Sequence, residues 1–176
     1  MKYKVIDNFL DEEYFDKLVT LFTDNRAPSG NVIMLWSLCT SVTTEGAEDN
    51  IFYMASVHYN NNAPTTPLYK EFIPLLEKLE AKCLIRIKAN LYPNTHKLHE
   101  HPMHIDYEFS HSGAVLSLNT CDGYTKLKDG TKIDSVANRV LLFDPSEEHC
   151  STTTTNDYAR FTININYINV KNNLNH

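Results

Sequence analysis

The alternation of apolar and polar positions separates a helical first part of the chain from a strand-rich second part. Residues 3–6 indicate a short strand, and the spacing of apolar residues from Phe15 to Phe22 predicts a helix that opens with acidic residues. A second helix is predicted to start at Pro67, with Thr66 as its N-cap. Pro74 lies inside this helix and predicts that it bends or splits in two.

The remaining pattern predicts many short strands. The β-rich runs are residues 32–42, 51–59, 84–92, 114–118, 124–133, 140–143 and 160–170. An acidic turn at 45–49 separates the first two runs, and Asp129-Gly130 predicts a hairpin within 124–133. Strands of this length and spacing are typical of a sandwich or barrel, so we predict a mainly β fold with the helices along one side.

Length and charge narrow the class of protein. The 176 residues predict a single domain over 1–176, with a β core at about 84–170, and the net charge is −6 with scattered basic residues. Nucleic acid is therefore disfavoured as a partner, because phosphate binding needs clustered Lys and Arg. Four cysteines without C-x-x-C spacing, and the lack of any membrane-length apolar run or signal peptide, favour a soluble, cytoplasmic protein with no membrane partner.

Three of the eight histidines lie within residues 98–107, and Asp106 stands two positions after the last of them. If the segment is extended, His104 and Asp106 point to the same side, because residues i and i+2 share a face. Together with one distant histidine they form a facial triad, the arrangement that holds a divalent transition metal and leaves positions open. An H-x-D pair taken alone is also common in solvated loops.

The second half of the chain supplies a distant histidine and an unusual arginine. His149 follows the turn after the 140–143 strand, and Arg160 opens the last strand eleven residues later. A buried arginine is costly unless a carboxylate meets its planar fork, and no acidic residue stands beside Arg160 on its strand. The missing anion is therefore predicted to be a ligand.

With these residues the chain resembles the iron(II)- and 2-oxoglutarate-dependent oxygenases, most closely the prolyl-4-hydroxylase-like group. The resemblance covers residues 84–169 and implies a double-stranded β-helix, also called a jelly roll or cupin-like barrel. It implies that His104, Asp106 and His149 bind Fe(II), and that Arg160 binds the distal carboxylate of 2-oxoglutarate. Thr162 matches the hydroxyl of the family's R-x-S/T pattern.

Weaker matches extend the resemblance. Asn90 and Tyr92 resemble the N-x-Y of the nucleic-acid demethylase branch, which implies contacts with the cosubstrate. Residues 118–125 contain the L-N and G-x-T pair of the family. Ser117 stands where prolyl hydroxylases commonly have a tyrosine that donates to the cosubstrate, and Tyr92 is the alternative source of that hydroxyl.

The resemblance implies an enzyme that consumes dioxygen, converts 2-oxoglutarate to succinate and hydroxylates a C–H bond of a peptidyl or free amino-acid, or other small, substrate. Two alternatives remain open at this point. One is a cupin-like metal protein that uses His99, His101, Asp106 and His149 without a 2-oxo acid, although Pro102 interrupts the strand that it needs. The other is a nucleic-acid demethylase, which the negative charge opposes.

Three aromatic residues are candidates for the substrate mouth. They are Trp36, His58 and Tyr107. Packing is the preferred interpretation for Trp36, because an aromatic side chain in a sheet most often belongs to the core.

Overall fold

The computed structural model describes residues 2–23, 34–41 and 51–169. Its strands are β1 Lys4–Ile6, β2 Ser37–Cys39, β3 Tyr53–Asn60, β4 Ala63–Pro64, β5 Cys83–Pro93, β6 Ser112–Ser117, β7 Tyr124–Leu127, β8 Lys132–Asp134, β9 Arg139–Phe143, β10 His149–Ser151 and β11 Ala159–Ile168. Its helices are α1 Glu12–Thr23, a 3₁₀ helix Pro67–Phe72 and α2 Ile73–Lys78.

The strands form two antiparallel sheets that face each other. The larger sheet has the order β1-β9-β6-β11-β5-β3-β2, with β4 paired to β3, and the smaller has the order β10-β7-β8. The side chain of Arg160 on β11 reaches Thr125 on β7, which shows that one face of the large sheet lies against the small sheet. We call this face of the large sheet its cavity face. The fold is a double-stranded β-helix with flanking helices, as the sequence predicted.

The hydrophobic core lies between the large sheet and the helices. Helix α1 buries Phe15, Leu18 and Phe22 on one stripe. The strands contribute alternate apolar residues such as Ile87 and Ile163 to the same core. Because side chains alternate along a strand, the intervening positions of β5 and β11 point to the opposite face. These positions are Arg86, Lys88, Asn90 and Tyr92 on β5, and Arg160, Thr162, Asn164 and Asn166 on β11.

The second predicted helix is split, as expected from Pro74. Pro67 stands in the first turn of the 3₁₀ helix and Thr66 is its N-cap residue, as predicted, but the side chain of Thr66 makes no cap hydrogen bond. The Thr66 hydroxyl instead bonds His58 Nδ1 at 2.8 Å. His58 is fully buried against Phe72 on the helix side of the sheet, so it does not line a substrate mouth.

Other expectations have mixed outcomes. Trp36 packs against Phe22 and Phe161, which confirms its role in packing. The predicted hairpin is confirmed as β7 and β8, with Gly130 at a positive φ of 86°. Strand β10 was not predicted, and the acidic turn at 45–49 lies outside the described residues. Among the described helices, none is long and apolar enough to span a membrane.

Candidate metal centre

Two backbone hydrogen bonds place the histidines of the predicted triad side by side. The amide of His104 donates to the carbonyl of His149, and the amide of His149 donates to that of His104, each at 2.9 Å. The two imidazole rings are consequently 4.6 Å apart between centroids. The next turn is fixed by the amide of Asp106, which donates to the carbonyl of Pro145 at 2.9 Å.

This backbone arrangement brings three potential metal ligands together. One ligand atom from each of His104, Asp106 and His149 lies within 4.8 Å of the other two, and His104 Nε2 is 4.0 Å from Asp106 Oδ1. Ile105, between the first two, is 40% exposed, as the alternation predicted. The segment achieves this as an isolated bridge and bend rather than as a regular strand.

The four-ligand cupin alternative is not assembled in the part of the chain that the structure describes. The one close group of three or more His, Cys, Asp or Glu side chains found there contains neither His99 nor His101. His101 is buried, and its ring packs beside Tyr92 and Tyr53 at centroid distances of 5.3 and 6.2 Å.

The hydrogen bonds of both histidines favour the tautomer that binds a metal through Nε2. His149 Nδ1 lies 3.0 Å from the carbonyl of Glu147, and His104 Nδ1 lies 3.3 Å from that of Pro102. A carbonyl can only accept, so the proton resides on Nδ1 and the Nε2 lone pair is left for a cation. Burial lowers the pKa of His104 to about 4 and also lowers the pKa of His149, so both rings are neutral near pH 7.

Asp106 is held ionised by groups that the sequence reasoning missed. Its Oδ1 accepts from Arg86 Nη2 at 2.8 Å, and its Oδ2 accepts from Asn166 at 2.8 Å and from Asn164 at 3.2 Å. Burial opposes ionisation, but Arg86, His149 and the amide of Asn166 outweigh it and lower the pKa of the carboxyl group. The alternation along 84–92 was the available signal, because it places Arg86 on the same face as Asn90 and Tyr92.

The donor set fits Fe(II). Two neutral imidazoles and one carboxylate are the ligands of the 2-His-1-carboxylate facial triad, which leaves coordination positions for other molecules. Each of these ligands also has the outer hydrogen bond that orients a metal ligand. His149 bonds the carbonyl of Glu147, His104 bonds that of Pro102, and Asp106 accepts from Asn164 and Asn166.

Arg160 lies fully buried among neutral oxygen atoms. Its Nε donates to Ser135 Oγ at 2.9 Å, and its Nη2 donates to Thr125 Oγ1 at 2.9 Å. A longer bond of 3.4 Å joins Nη1 to the carbonyl of Thr152, and the guanidinium lies 5.4 Å from the centre of the Tyr92 ring. No ion pair joins Arg160 to a carboxylate of the described residues. Burial accordingly lowers the pKa of Arg160.

The G-x-T pattern has a steric basis in this cavity. A Cβ on Gly123 would lie 2.6 Å from Arg160 Cδ and 2.7 Å from the carbonyl oxygen of Thr153, so only glycine leaves room for the arginine. Thr125, two residues on, is the hydroxyl that accepts from Arg160. Ser135 and Thr152, which complete the surroundings of the guanidinium, were not identified from the sequence.

The weaker candidates also face this cavity. Thr162 pairs across the strands with both Asn90 and Ser117. Asn90 Nδ2 lies 3.4 Å from Thr162 Oγ1, and Asn90 Oδ1 is buried without a hydrogen-bond partner among the described residues. Ser117 accepts from Ser135, 3.3 Å away, and so lies one residue from Arg160 in the hydrogen-bond network.

Tyr92 connects the two halves of the site. Burial raises the pKa of its hydroxyl, while Arg160, which lies opposite it on β11, and a hydrogen bond with Ser151 lower this pKa and Asp106 raises it. Tyr92 is 4% exposed, and its ring stacks on Tyr53 at 5.6 Å. Arg160 and Tyr92 thus share the face of β11 and β5 on which Asn164 and Asn166 contact Asp106 of the triad.

Comparisons with known proteins agree with this architecture. No protein-family model matches the sequence, and no curated protein matches it. Solved structures are similar: a prolyl-4-hydroxylase from Pseudomonas putida has a TM-score of 0.59 at 15% identity, covering 95% of this chain and 92% of that one. A 2OG-Fe(II) oxygenase family oxidoreductase from Burkholderia pseudomallei has a TM-score of 0.64 at 11% identity, with coverages of 94% and 84%.

A third similar structure is a prolyl hydroxylase from Trichoplax adhaerens, solved in complex with a peptide fragment of the hypoxia inducible factor oxygen degradation domain. Its TM-score is 0.60 at 14% identity, and the match covers 94% of this chain and 83% of that one. At these identities the comparisons establish the fold. They therefore confirm that the fold of this chain resembles that of iron(II)/2-oxoglutarate oxygenases, including prolyl hydroxylases.

Proposed function

We propose that this chain is an Fe(II)- and 2-oxoglutarate-dependent dioxygenase that hydroxylates a C–H bond of a peptidyl or free amino-acid, or other small, substrate. His104, Asp106 and His149 would hold the metal, and Arg160 would bind the distal carboxylate of the cosubstrate. Asn90, Tyr92 and Thr162 would line the cosubstrate between these two ends.

The observation that carries the proposal is the burial of Arg160 without an acidic partner. Arg160 is 1% exposed and meets only neutral oxygens and an aromatic face. An unpaired charge in such a site costs several kcal/mol, on the order of 3–5 kcal/mol when a partner is removed. A dicarboxylate that reaches from the triad to the arginine removes this cost, and 2-oxoglutarate is such a ligand.

Each residue has a defined task in this proposal. Fe(II), when bound, supplies an open site at which a 2-oxo acid and dioxygen meet. The fork of Arg160 fixes the far end of the cosubstrate with two charge-assisted hydrogen bonds. Asn90, whose Oδ1 has no hydrogen-bond partner among the described residues, and the phenol of Tyr92 would line the path between the two ends, since both lie on the strand face of Arg160.

The peptidyl substrate class is the finer part of the proposal. The Trichoplax prolyl hydroxylase was solved with a peptide fragment, and its fold is similar to that of this chain. The acidic balance of the chain, with a net charge of −6, favours a peptide or small molecule over nucleic acid.

The proposal is tested by comparing the binding of 2-oxoglutarate with that of 2-oxobutanoate, which keeps the chelating 2-oxo acid but lacks the distal carboxylate. Under anaerobic conditions the Fe(II)-loaded protein should bind 2-oxoglutarate at least about 30-fold more tightly, as expected for one buried charge pair. With oxygen it should form succinate in an Fe(II)-dependent manner. Equal affinity for the two acids would contradict the proposal.

A further inference from the structure

The cavity face of β5 carries one cation that the proposed reaction does not use. Arg86, Lys88, Asn90 and Tyr92 alternate along this face. Arg86 is paired with Asp106, and the other two polar residues adjoin the proposed cosubstrate path. Lys88 is opposite Asn164 on β11 and opposite Val57 on β3, which places it at the level of the triad.

The ammonium of Lys88 has an aromatic neighbour and no anion. Its Nζ lies 5.6 Å from the centre of the Tyr53 ring, and among the described residues it forms neither a hydrogen bond nor an ion pair. Burial and the nearby Arg86 lower the pKa of Lys88 to about 8, although Asp106 acts in the opposite direction. The side chain is only half-buried, so a solute can reach it.

The charge balance of the cavity points to an additional anion. Strands β5 and β11 place three cations on the cavity side, Arg86, Lys88 and Arg160, against the single carboxylate of Asp106. Fe(II) and a dianionic cosubstrate would cancel each other in charge, and Asp106 offsets Arg86, which leaves the charges of both Arg160 and Lys88 uncompensated. Arg160 would contact the distal carboxylate of the cosubstrate, whereas Lys88 has no such partner and lies opposite Asn164, whose amide contacts Asp106. Complementary charge at such a position selects an anionic partner.

Lys88 lies apart from Arg160, the proposed anchor of the cosubstrate, along the strand pair β5 and β11. Tyr53 stacks on Tyr92 at 5.6 Å, and Arg160 lies on Tyr92 at 5.4 Å. The two cations therefore adjoin different rings of one aromatic pair, Arg160 at Tyr92 and Lys88 at Tyr53. Lys88 and Tyr92, the residue opposite Arg160, are four residues apart on β5, which is roughly 13 Å along the strand. A single carboxylate bound at Arg160 therefore leaves the ammonium of Lys88 without a partner.

We infer that the prime substrate carries an acidic group, a carboxylate of an amino acid or peptide, and that Lys88 binds it. This inference rests on the proposed function, since it assigns Lys88 to the substrate that is hydroxylated. Lys88 would be a residue that determines specificity, with no part in holding the metal or the 2-oxo acid.

The test uses Zn(II)-loaded full-length protein saturated with 2-oxoglutarate, in which no turnover occurs. The probes are N-acetylaspartate and N-acetylglutamate, each compared with its neutral counterpart, the α-carboxamide of N-acetylasparagine or of N-acetylglutamine, by calorimetric titration. Wild type should prefer the acids. Lys88→Met should weaken their binding at least about tenfold and leave the amides unchanged, and Lys88→Arg should restore part of the loss.

Two controls separate the possible failures. Lys128→Met changes an exposed lysine that is paired with Glu148 and should alter no affinity. Affinities of all variants for Zn(II) and for 2-oxoglutarate are measured first, and failure of wild type to bind them would reject the proposed function itself. If both bind normally, absence of an acid preference in wild type, or its persistence in Lys88→Met, overturns the assignment of Lys88. Weakened 2-oxoglutarate binding in Lys88→Met also overturns it, because the lysine then belongs to the cosubstrate site.

Discussion

Arg86 donates to Asp106 through Nη2 at 2.8 Å, on the same carboxylate oxygen that lies 4.0 Å from His104 Nε2. Arg86 therefore contacts an oxygen atom that also belongs to the predicted metal-binding group. Its side chain is 18% exposed and that of Asp106 is 4% exposed. In the metal-free protein, Arg86 is the countercharge that makes a buried carboxylate tolerable.

Replacement of this arginine should destabilise the metal-free protein more than the metal-loaded one. Arg86→Met should lower the free energy of unfolding by about 3 kcal/mol without metal, because Asp106 loses its cation. A bound divalent ion supplies a new countercharge and should reduce the loss by at least half. Urea unfolding with and without Zn(II) measures both values.

The control for this experiment is the ion pair between Arg139 and Asp7, whose side chains are 21% and 54% exposed. Arg139→Met should cost less than about 1 kcal/mol, with or without metal, because the pair is solvated. An equal loss for Arg86→Met in both metal states would show that Arg86 does not compensate the charge of Asp106.

Metal binding should depend on the three predicted ligands and on no other nearby histidine. His104→Ala, Asp106→Ala and His149→Ala should each weaken Fe(II) binding by more than about 100-fold, beyond what loss of an outer hydrogen bond causes. His101→Ala should bind normally, because its ring packs beside Tyr92 and is not part of the triad. Anaerobic titration decides; loss of binding in His101→Ala with retention in His104→Ala would favour the cupin-like alternative.

Gly123 should be intolerant of a side chain for a reason that involves Arg160. In Gly123→Ala the new Cβ would lie 2.6 Å from Arg160 Cδ, so the guanidinium must move. We expect a loss of about 1–3 kcal/mol in stability, as in other overpacked sites, together with weaker 2-oxoglutarate binding. Gly130→Ala is the control: it meets open space at a φ of +86°, and should cost about 1 kcal/mol without changing that affinity. A Gly123→Ala protein with wild-type stability and affinity would refute this explanation.

His58 should make the stability of the protein depend on pH. Burial lowers its pKa from 6.5 to about 4, so the unfolded chain takes up a proton before the folded one does. Stability is therefore complete above about pH 6.5 and falls as the pH decreases towards 4, by up to about 3 kcal/mol from this group.

The variant His58→Phe isolates this effect, because Phe72 and Phe22 already surround the ring. Urea unfolding of the metal-free proteins at pH 7, 6, 5 and 4.5 should give a shallower pH dependence for the variant. The triad histidines titrate in both proteins and cancel in the difference. Identical slopes would mean that His58 is not the neutral, buried group described above.

Regular alternation is what made most of the fold predictable. The period of two along 84–92 identified β5, and the helical spacing from Phe15 to Phe22 identified α1. Strand β10 was missed because its three residues, His149–Ser151, are too few to show a period. Thr66 takes the predicted N-cap position, but its hydroxyl does not cap the helix backbone because it has a tertiary partner, His58, which local sequence does not reveal.

The residues of the site could be predicted only where they lie at a characteristic spacing along the chain. His104 and Asp106 are two residues apart, and the family resemblance supplied His149 and Arg160; the structure brings the first three together, while their roles stay predictions. Arg86, Ser135 and Thr152 reach the site from other strands and loops. Contacts of that kind depend on how the two sheets face each other. The periodic pattern of apolar and polar residues in the sequence does not contain this information.

Binding of 2-oxoglutarate to Fe(II)-loaded Arg160 variants tests most directly whether Arg160 binds the distal carboxylate of this cosubstrate. Arg160→Met should weaken this binding by roughly 2–5 kcal/mol and should leave Fe(II) binding intact. Arg160→Lys keeps the charge without the fork and should lose less. Melting temperatures recorded in parallel identify any variant that fails to fold. An unchanged dissociation constant for 2-oxoglutarate in a folded Arg160→Met protein would contradict the claim.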